Sequence, residues 1–380
     1  MGEKQQAIGD ILNKIADELN ITDTMMAKAV SSYQAVGEWL GKGIDYDVEI
    51  KPQGSMNLGT VIRPIDDSDD YDMDLVCLLK NGYNLSAKQI KQIVGNRLKE
   101  NTMYQSKLEK EGKRCWTMQY EEFHMDILPC VSKDKIYTPQ ISTSIRLTHK
   151  TENGVYVDRF SNPEAYHKWF VDRMNCKSRM EKNSVYSERD AHIDKVPTYK
   201  RRTALQKAIQ LLKRHRDIVF QGNEDNAPIS IIITTLAALA YDGEANLYDV
   251  LETILNNMTN YITCRNNQYS IPNPVMSEED FADKWNENPE KARAFYKWVS
   301  QARKDLLEDA MNLVGLDEIC DNLKHSLGDA PVKRAFNKLG EESRDNRGKG
   351  ALFVNGLTGT LGTVNVSSAI KVKEHTFFGV

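Results

Sequence analysis

Apolar side chains at Ile8, Ile11, Leu12, Ile15 and Leu19 recur at helical spacing and predict a helix over 4–19. Thr22 or Asp23 caps a second helix running to about residue 40, which Gly41 and Gly43 end. At Val48 to Ile50 the pattern becomes that of a strand, leading into Gln53-Gly54-Ser55. A polar turn at 66–70 precedes a strand over 72–79, and a helix follows over 85–98 with Ser86 as N-cap. Strands are predicted over 116–121 and 123–128, the latter ending at Pro129. An amphipathic helix falls within 161–174, after Asn162-Pro163. The polar stretch 175–197 reads as a crossing between two lobes. Beyond it the periodicity is helical, over 199–220, 229–241, 247–260, 278–286, 289–313 and 316–327. After about residue 339 Gly, Thr, Ser, Asn and Val dominate, which predicts a flexible tail. The pattern as a whole predicts an α+β chain with a core over 1–196, a mostly helical lobe over 197–340 and a tail over 341–380.

Composition narrows the classes. The chain has 380 residues, 40% hydrophobic and 27% charged, as in soluble globular proteins of one large or two ordinary domains. Its net charge of −4 supplies no global basic field, so no stable duplex nucleic acid is expected. No run approaches the ~18 apolar residues of a membrane span, and the polar start lacks a signal-peptide core. Six cysteines stand apart with no C-x-x-C pair, which argues against structural zinc and suits a reducing cytoplasm. Seven dispersed histidines form no Ser–His–Asp or metallohydrolase pattern.

The chemistry lies in three acidic residues and one small turn. In a strand, Asp72 and Asp74 point the same way, while Tyr71, Met73 and Leu75 point to the opposite face. Two adjacent carboxylates repel unless a cation sits between them. Mg²⁺ takes oxygen ligands and typically uses one or two carboxylates plus substrate phosphates. Asp126, in the apolar run Phe123-His124-Met125-Asp126-Ile127-Leu128, is suited to complete a site for two Mg²⁺ ions, with Mn²⁺ as an alternative. Upstream, Gly54 removes a Cβ from the path of a phosphate, and the Ser55 hydroxyl and nearby N–H groups can bind its oxygens. Gly59-Thr60 marks a second tight approach. His124 shares the strand face of Asp126.

These motifs resemble the polymerase-β-like nucleotidyltransferases, with G-S, then D-x-D, then a distal D. More narrowly, the Gln53-Gly54-Ser55 form, the run Gly59-Thr60-Val61-Ile62-Arg63-Pro64 and the Leu205–Asp217 helix are similar to bacterial cyclic-oligonucleotide synthases related to cyclic GMP–AMP synthase and oligoadenylate synthase. The resemblance covers about residues 20–340. It implies a two-lobed fold with a helical lobe closing the cleft. It also implies NTP substrates, ATP or GTP among them, and a cyclic di- or trinucleotide product for antiphage signalling. Asp72, Asp74 and Asp126 would be the catalytic and metal-binding residues, and Gln53, Gly54 and Ser55 the nucleotide-binding turn. Lys213, in Leu211-Leu212-Lys213-Arg214, would meet the triphosphate from an otherwise solvated basic helix, and Ser230, a natural N-cap, would give a second phosphate-contacting hydroxyl. The ending Phe377-Phe378-Gly379-Val380 is similar to tails that an E1/E2-like partner joins to a target, although Val replaces the final Gly. The rival readings are a transferase adding nucleotides to RNA or protein, and a non-catalytic nucleic-acid sensor or toxin-partner module.

Overall fold

Burial alternates strictly along the first residues of Tyr71–Leu79 and of Phe123–Ser132, so each strand has one apolar and one mixed face. The computed structural model describes residues 2–65, 70–135, 142–176, 193–197, 199, 201–355, 361–362 and 369–373. The strands β1 (Val48–Gln53), β2 (Tyr71–Leu79), β3 (Trp116–Gln119), β4 (Phe123–Ser132), β5 (Ile145–Lys150) and β6 (Tyr156–Ser161) form one sheet in the order β1-β2-β4-β5-β6, with β3 also on β4. Only β2 and β4 run parallel; the other pairs are antiparallel.

The apolar face buries Met73, Leu75, Cys77, Met125 and Ile127 against packed helices. Helix α1 (Glu3–Glu18) belongs elsewhere, as described below, whereas α2 (Asp23–Gly43) contributes Ala29, Tyr33, Val36 and Leu40. The short α3 (Gly54–Leu58) contributes Met56, and α4 (Ala87–Lys99) contributes Ile90, Val94 and Leu98. Each such buried aliphatic side chain is worth about 1.5–3 kcal/mol. Thr22 accepts a hydrogen bond from Met25 N and caps α2, which runs on through Gly41 to Gly43. Ser86 and Gln89 form a capping box at α4.

Pro129 does not end its strand. It pairs with Cys77 of β2 and sits where the partner on the other side changes, since β3 reaches Ile127 and β5 begins at Cys130. A missing N–H is tolerated at such a break.

The chain forms two compact units that interleave along the sequence. One holds 20–206 and 262–287, the other 1–19, 207–261 and 288–380. A division by chain order at 196/197 would therefore place α1 and the 262–287 segment with the opposite unit. In the helical unit, α1 packs on Leu247–Asn257 and Asp329–Gly348. There, Trp298 Nε1 donates to His215 Nδ1 at 3.0 Å, and His215 Nε2 lies 3.2 Å from Asp305 Oδ2.

Two segments differ from expectation. Residues 278–286 are not one helix: Met276–Asp280 is a strand and Asp283–Glu287 a short helix. The tail is not uniformly irregular either. Asp329–Gly348 is helical, and Phe353–Asn355 pairs with Leu361–Gly362 and Ala369–Lys371. Most of 175–197, the turn at 66–69 and the ending 377–380 lie outside the described residues.

Candidate functional site

Strand register gathers the acidic residues. Gln53 of β1 faces Asp74 of β2, Asp74 faces Asp126 of β4, and Asp126 faces Thr117 of β3, making one row across four strands. The next row is Asp72, His124 and Gln119. All lie on the mixed face, with Asp72 exposed and Asp74 and Asp126 half-buried. Thr117 Oγ1 donates to Asp126 Oδ1 at 2.5 Å and fixes that carboxylate. His124 Nε2 stands 3.6 Å from Asp70 Oδ2 and 3.8 Å from Glu109 Oε1.

The turn before α3 is built around Asp74. Gly54 has φ +64°, a region costly for residues with a Cβ, and a Cβ there would lie 1.8 Å from Asp74 Oδ2. The glycine is thus required by the carboxylate as well as by the turn. Gly59, at φ +67°, ends the helix, and Thr60 N donates to Ser55 O at 2.9 Å. Three side chains then hold the last carbonyls of this turn. Tyr199 Oη donates to Asn57 O at 2.7 Å, Gln206 Nε2 to Leu58 O at 2.9 Å and Arg202 Nε to Gly59 O at 2.9 Å. Sequence reasoning missed this clamp, because it joins residues more than 140 positions apart.

A cavity of about 180 Å³ opens beside the row. Gln53, Asp74 and Asp126 form one wall; Leu128, Leu147, Ser161, Arg114, Cys115 and Glu279 form the rest. Burial pushes the Cys115 thiol up to about 11, helped by the negative charge of Asp126, so it lines the cavity as a neutral group. Lys91, fully buried, donates to Gly112 O at 2.9 Å and Cys115 O at 2.8 Å and braces this rim.

Lys213 and Ser230 belong to the helical unit. Lys213 is only 6% exposed and Arg214 only 2%, so this stretch of Ala204–Val219 is not a solvated basic face. Ser230 is not the N-cap, which is Ile229; it opens Ser230–Ala240, and its hydroxyl accepts from Arg216 Nη1 at 3.0 Å.

The donor chemistry fits a hard cation. Three carboxylates share one face of adjacent parallel strands. Among the described residues, no three acidic, histidine or cysteine side chains are gathered into a ready-made metal cage. An ion such as Mg²⁺, which draws much of its shell from water and phosphate, suits an open donor set of this kind.

The profile of the Second Messenger Oligonucleotide or Dinucleotide Synthetase (SMODS) domain matches residues 7–175. The c-di-GMP synthase of Roseivirga ehrenbergii is 30% identical over 97% of this chain and 96% of its own. The chain belongs to the SMODS family. It is accordingly a nucleotidyltransferase of the cyclic-oligonucleotide-synthase kind. The SMODS fold here superimposes on the CD-NTase CdnG of Bradyrhizobium diazoefficiens in complex with GTP, with a TM-score of 0.67 and 20% identity, covering 88% of this chain and 99% of that one. It also matches DncV cyclic AMP-GMP synthase of Vibrio cholerae, with a TM-score of 0.53 and 14% identity, covering 88% and 90%. These likenesses establish the polymerase-β-like α+β architecture for this SMODS chain.

Proposed function

We propose that this protein joins two nucleoside triphosphates, GTP among them, into a cyclic dinucleotide at the face carrying Asp72, Asp74 and Asp126. The row Gln53–Asp74–Asp126, set beside the left-handed Gly54 turn, is the observation that carries this reading. That the Roseivirga relative is a c-di-GMP synthase supports a guanine-containing product.

Gln53, Gly54 and Ser55 bind the donor triphosphate through backbone N–H groups and the Ser55 hydroxyl. The three carboxylates would hold two Mg²⁺ ions, which would supply charge neutralisation of the triphosphate. Asp126, oriented by Thr117, accepts the hydrogen bond and then the proton of the attacking ribose hydroxyl. The ribose oxygen bonds to the α-phosphorus as the bridge to the β-phosphate breaks, and pyrophosphate leaves with the bonding pair. A second, equivalent step closes the ring. Lys213 and Ser230 are assigned to donor phosphates on the family resemblance alone.

The same proposal places the enzyme in the cytoplasm, in antiphage signalling, with its C-terminus joined to a target by an E1/E2-like partner. Removing residues 377–380 should then abolish conjugation in cells and leave nucleotide synthesis intact. Among the described residues no helix is long and apolar enough to cross a membrane.

The deciding experiment incubates the protein with four NTPs and Mg²⁺, treats the mixture with phosphatase and weighs the resistant products. A resistant cyclic dinucleotide is expected. Linear products, or label transferred to RNA or protein, would overturn the reading.

A further inference from the structure

Glu279 has no part in the chemistry above, yet it lines the same cavity as Asp74 and Asp126. It comes from the strand Met276–Asp280, whose pairing is irregular. Met276 faces Asn273 and Asp280 faces Pro272, so residues 277–279 bulge out of register. Bulges of this kind re-aim side chains next to active sites. The side chain is held in place: Ser161 Oγ donates to Glu279 Oε2 at 2.8 Å and Asn273 Nδ2 to the same oxygen at 2.7 Å. Both donors are buried. Oε1 accepts no hydrogen bond, and the carboxylate has no cationic partner, among the described residues. The fixed carboxylate thus keeps one oxygen open for a ligand that brings donors.

Position identifies the ligand part. Across the sheet, Gln53 lies on β1, Asp74 on β2, Asp126 on β4 and Ser161, which holds Glu279, on β6 at the opposite edge. If the donor triphosphate lies at the turn and the attacking hydroxyl at Asp126, the base of the acceptor nucleotide faces Glu279. Chemistry then selects the base. A carboxylate only accepts, and its two oxygens match two adjacent N–H donors. The Watson–Crick edge of guanine presents such a pair, N1–H and the N2 amino group. Adenine sets a donor beside a lone pair, and uracil flanks its single donor with two carbonyls, so either base turns an acceptor toward the carboxylate.

We propose that Glu279 is the guanine-reading residue of the acceptor site, held by Ser161 and Asn273. This rests on the function proposed above. Arg114, at the exposed rim, adds positive charge for an anionic nucleotide.

The test compares GTP with ITP, which lacks the 2-amino group, in the wild type and in Glu279→Gln, by pyrophosphate release and product mass. The wild type should use ITP about 10- to 100-fold less efficiently, the effect of a lost hydrogen bond to a charged group. Glu279→Gln keeps an oxygen for Ser161 and Asn273 and offers an amide that complements adenine. It should bring the GTP/ITP ratio close to one and raise ATP incorporation. Equal use of GTP and ITP by the wild type, a cyclic product without guanine, or unchanged selectivity in a folded Glu279→Gln would each overturn the inference. If that variant does not fold, the wild-type GTP/ITP ratio decides. A wild type that makes no cyclic product from any NTP would overturn the underlying reading and this inference with it. Cyclisation of GTP and ITP with equal efficiency would overturn the inference alone.

Discussion

Asp74 Oδ2 occupies the space beside Gly54, 1.8 Å from where a Cβ at that position would stand. The carboxylate and the turn therefore define each other. Gly54→Ala should lose nearly all pyrophosphate release, because an alanine in the left-handed conformation costs about 1–2 kcal/mol and Asp74 must also move to make room for its Cβ. A melting curve lowered by a few degrees alongside lost activity is expected. Full activity would show that the turn is not coupled to Asp74.

Asp74→Asn and Asp126→Asn should each lower turnover by about 100- to 1000-fold while the circular dichroism spectrum is unchanged, since each removes charge from the site but little volume. Thr117→Val should cost less, about 10- to 100-fold, because it frees Asp126 without removing it. Equal losses in Thr117→Val and Asp126→Asn would contradict that ordering.

Gln206→Leu should destabilise the protein by about 1–3 kcal/mol, because the Leu58 carbonyl loses its donor in a buried setting. A urea titration reads this as a lowered midpoint. The KM for NTP should rise as well, since Leu58 belongs to the helix that Gly54 and Ser55 open.

Burial lowers the Lys91 ammonium from 10.5 to about 8. Between those values the unfolded chain holds a proton that the folded chain has released. Stability should therefore rise with pH across that window, by at most about 1.4 kcal/mol per pH unit. Below pH 8 both states are protonated, so this contribution is flat. Unfolding free energies of the wild type and Lys91→Met, measured from pH 7 to 10, should diverge with that sign. A constant difference would count against it.

The acidic row was legible because strands alternate: D-x-D fixes two side chains on one face, and the spacing of Phe123, Met125 and Ile127 puts Asp126 on its own polar face. What the sequence hid is non-local. Glu278, Glu279 and Asp280 follow Ser277, which mimics a capped helix start, yet the segment is a strand held by Ser161 and Asn273. The tail reads as flexible from its Gly, Ser and Thr, but Phe353–Asn355 pairs with Ala369–Lys371 across a gap that composition does not encode. Lys213 looks like part of a solvated charge cluster because its helix is rich in Lys and Arg, and only packing shows that it is buried.

The interleaving of the two units governs how the protein can be made. The apolar stripe of α1, with Ile8, Ile11, Leu12 and Ile15, is covered by Leu247–Asn257 and Asp329–Gly348. At ~5–20 residues per second, a nascent chain leaves that stripe bare for about 10 to 50 s before the first of these partners is translated. During that interval the helix is a natural binding site for ribosome-associated chaperones, and slowing translation should worsen aggregation rather than relieve it.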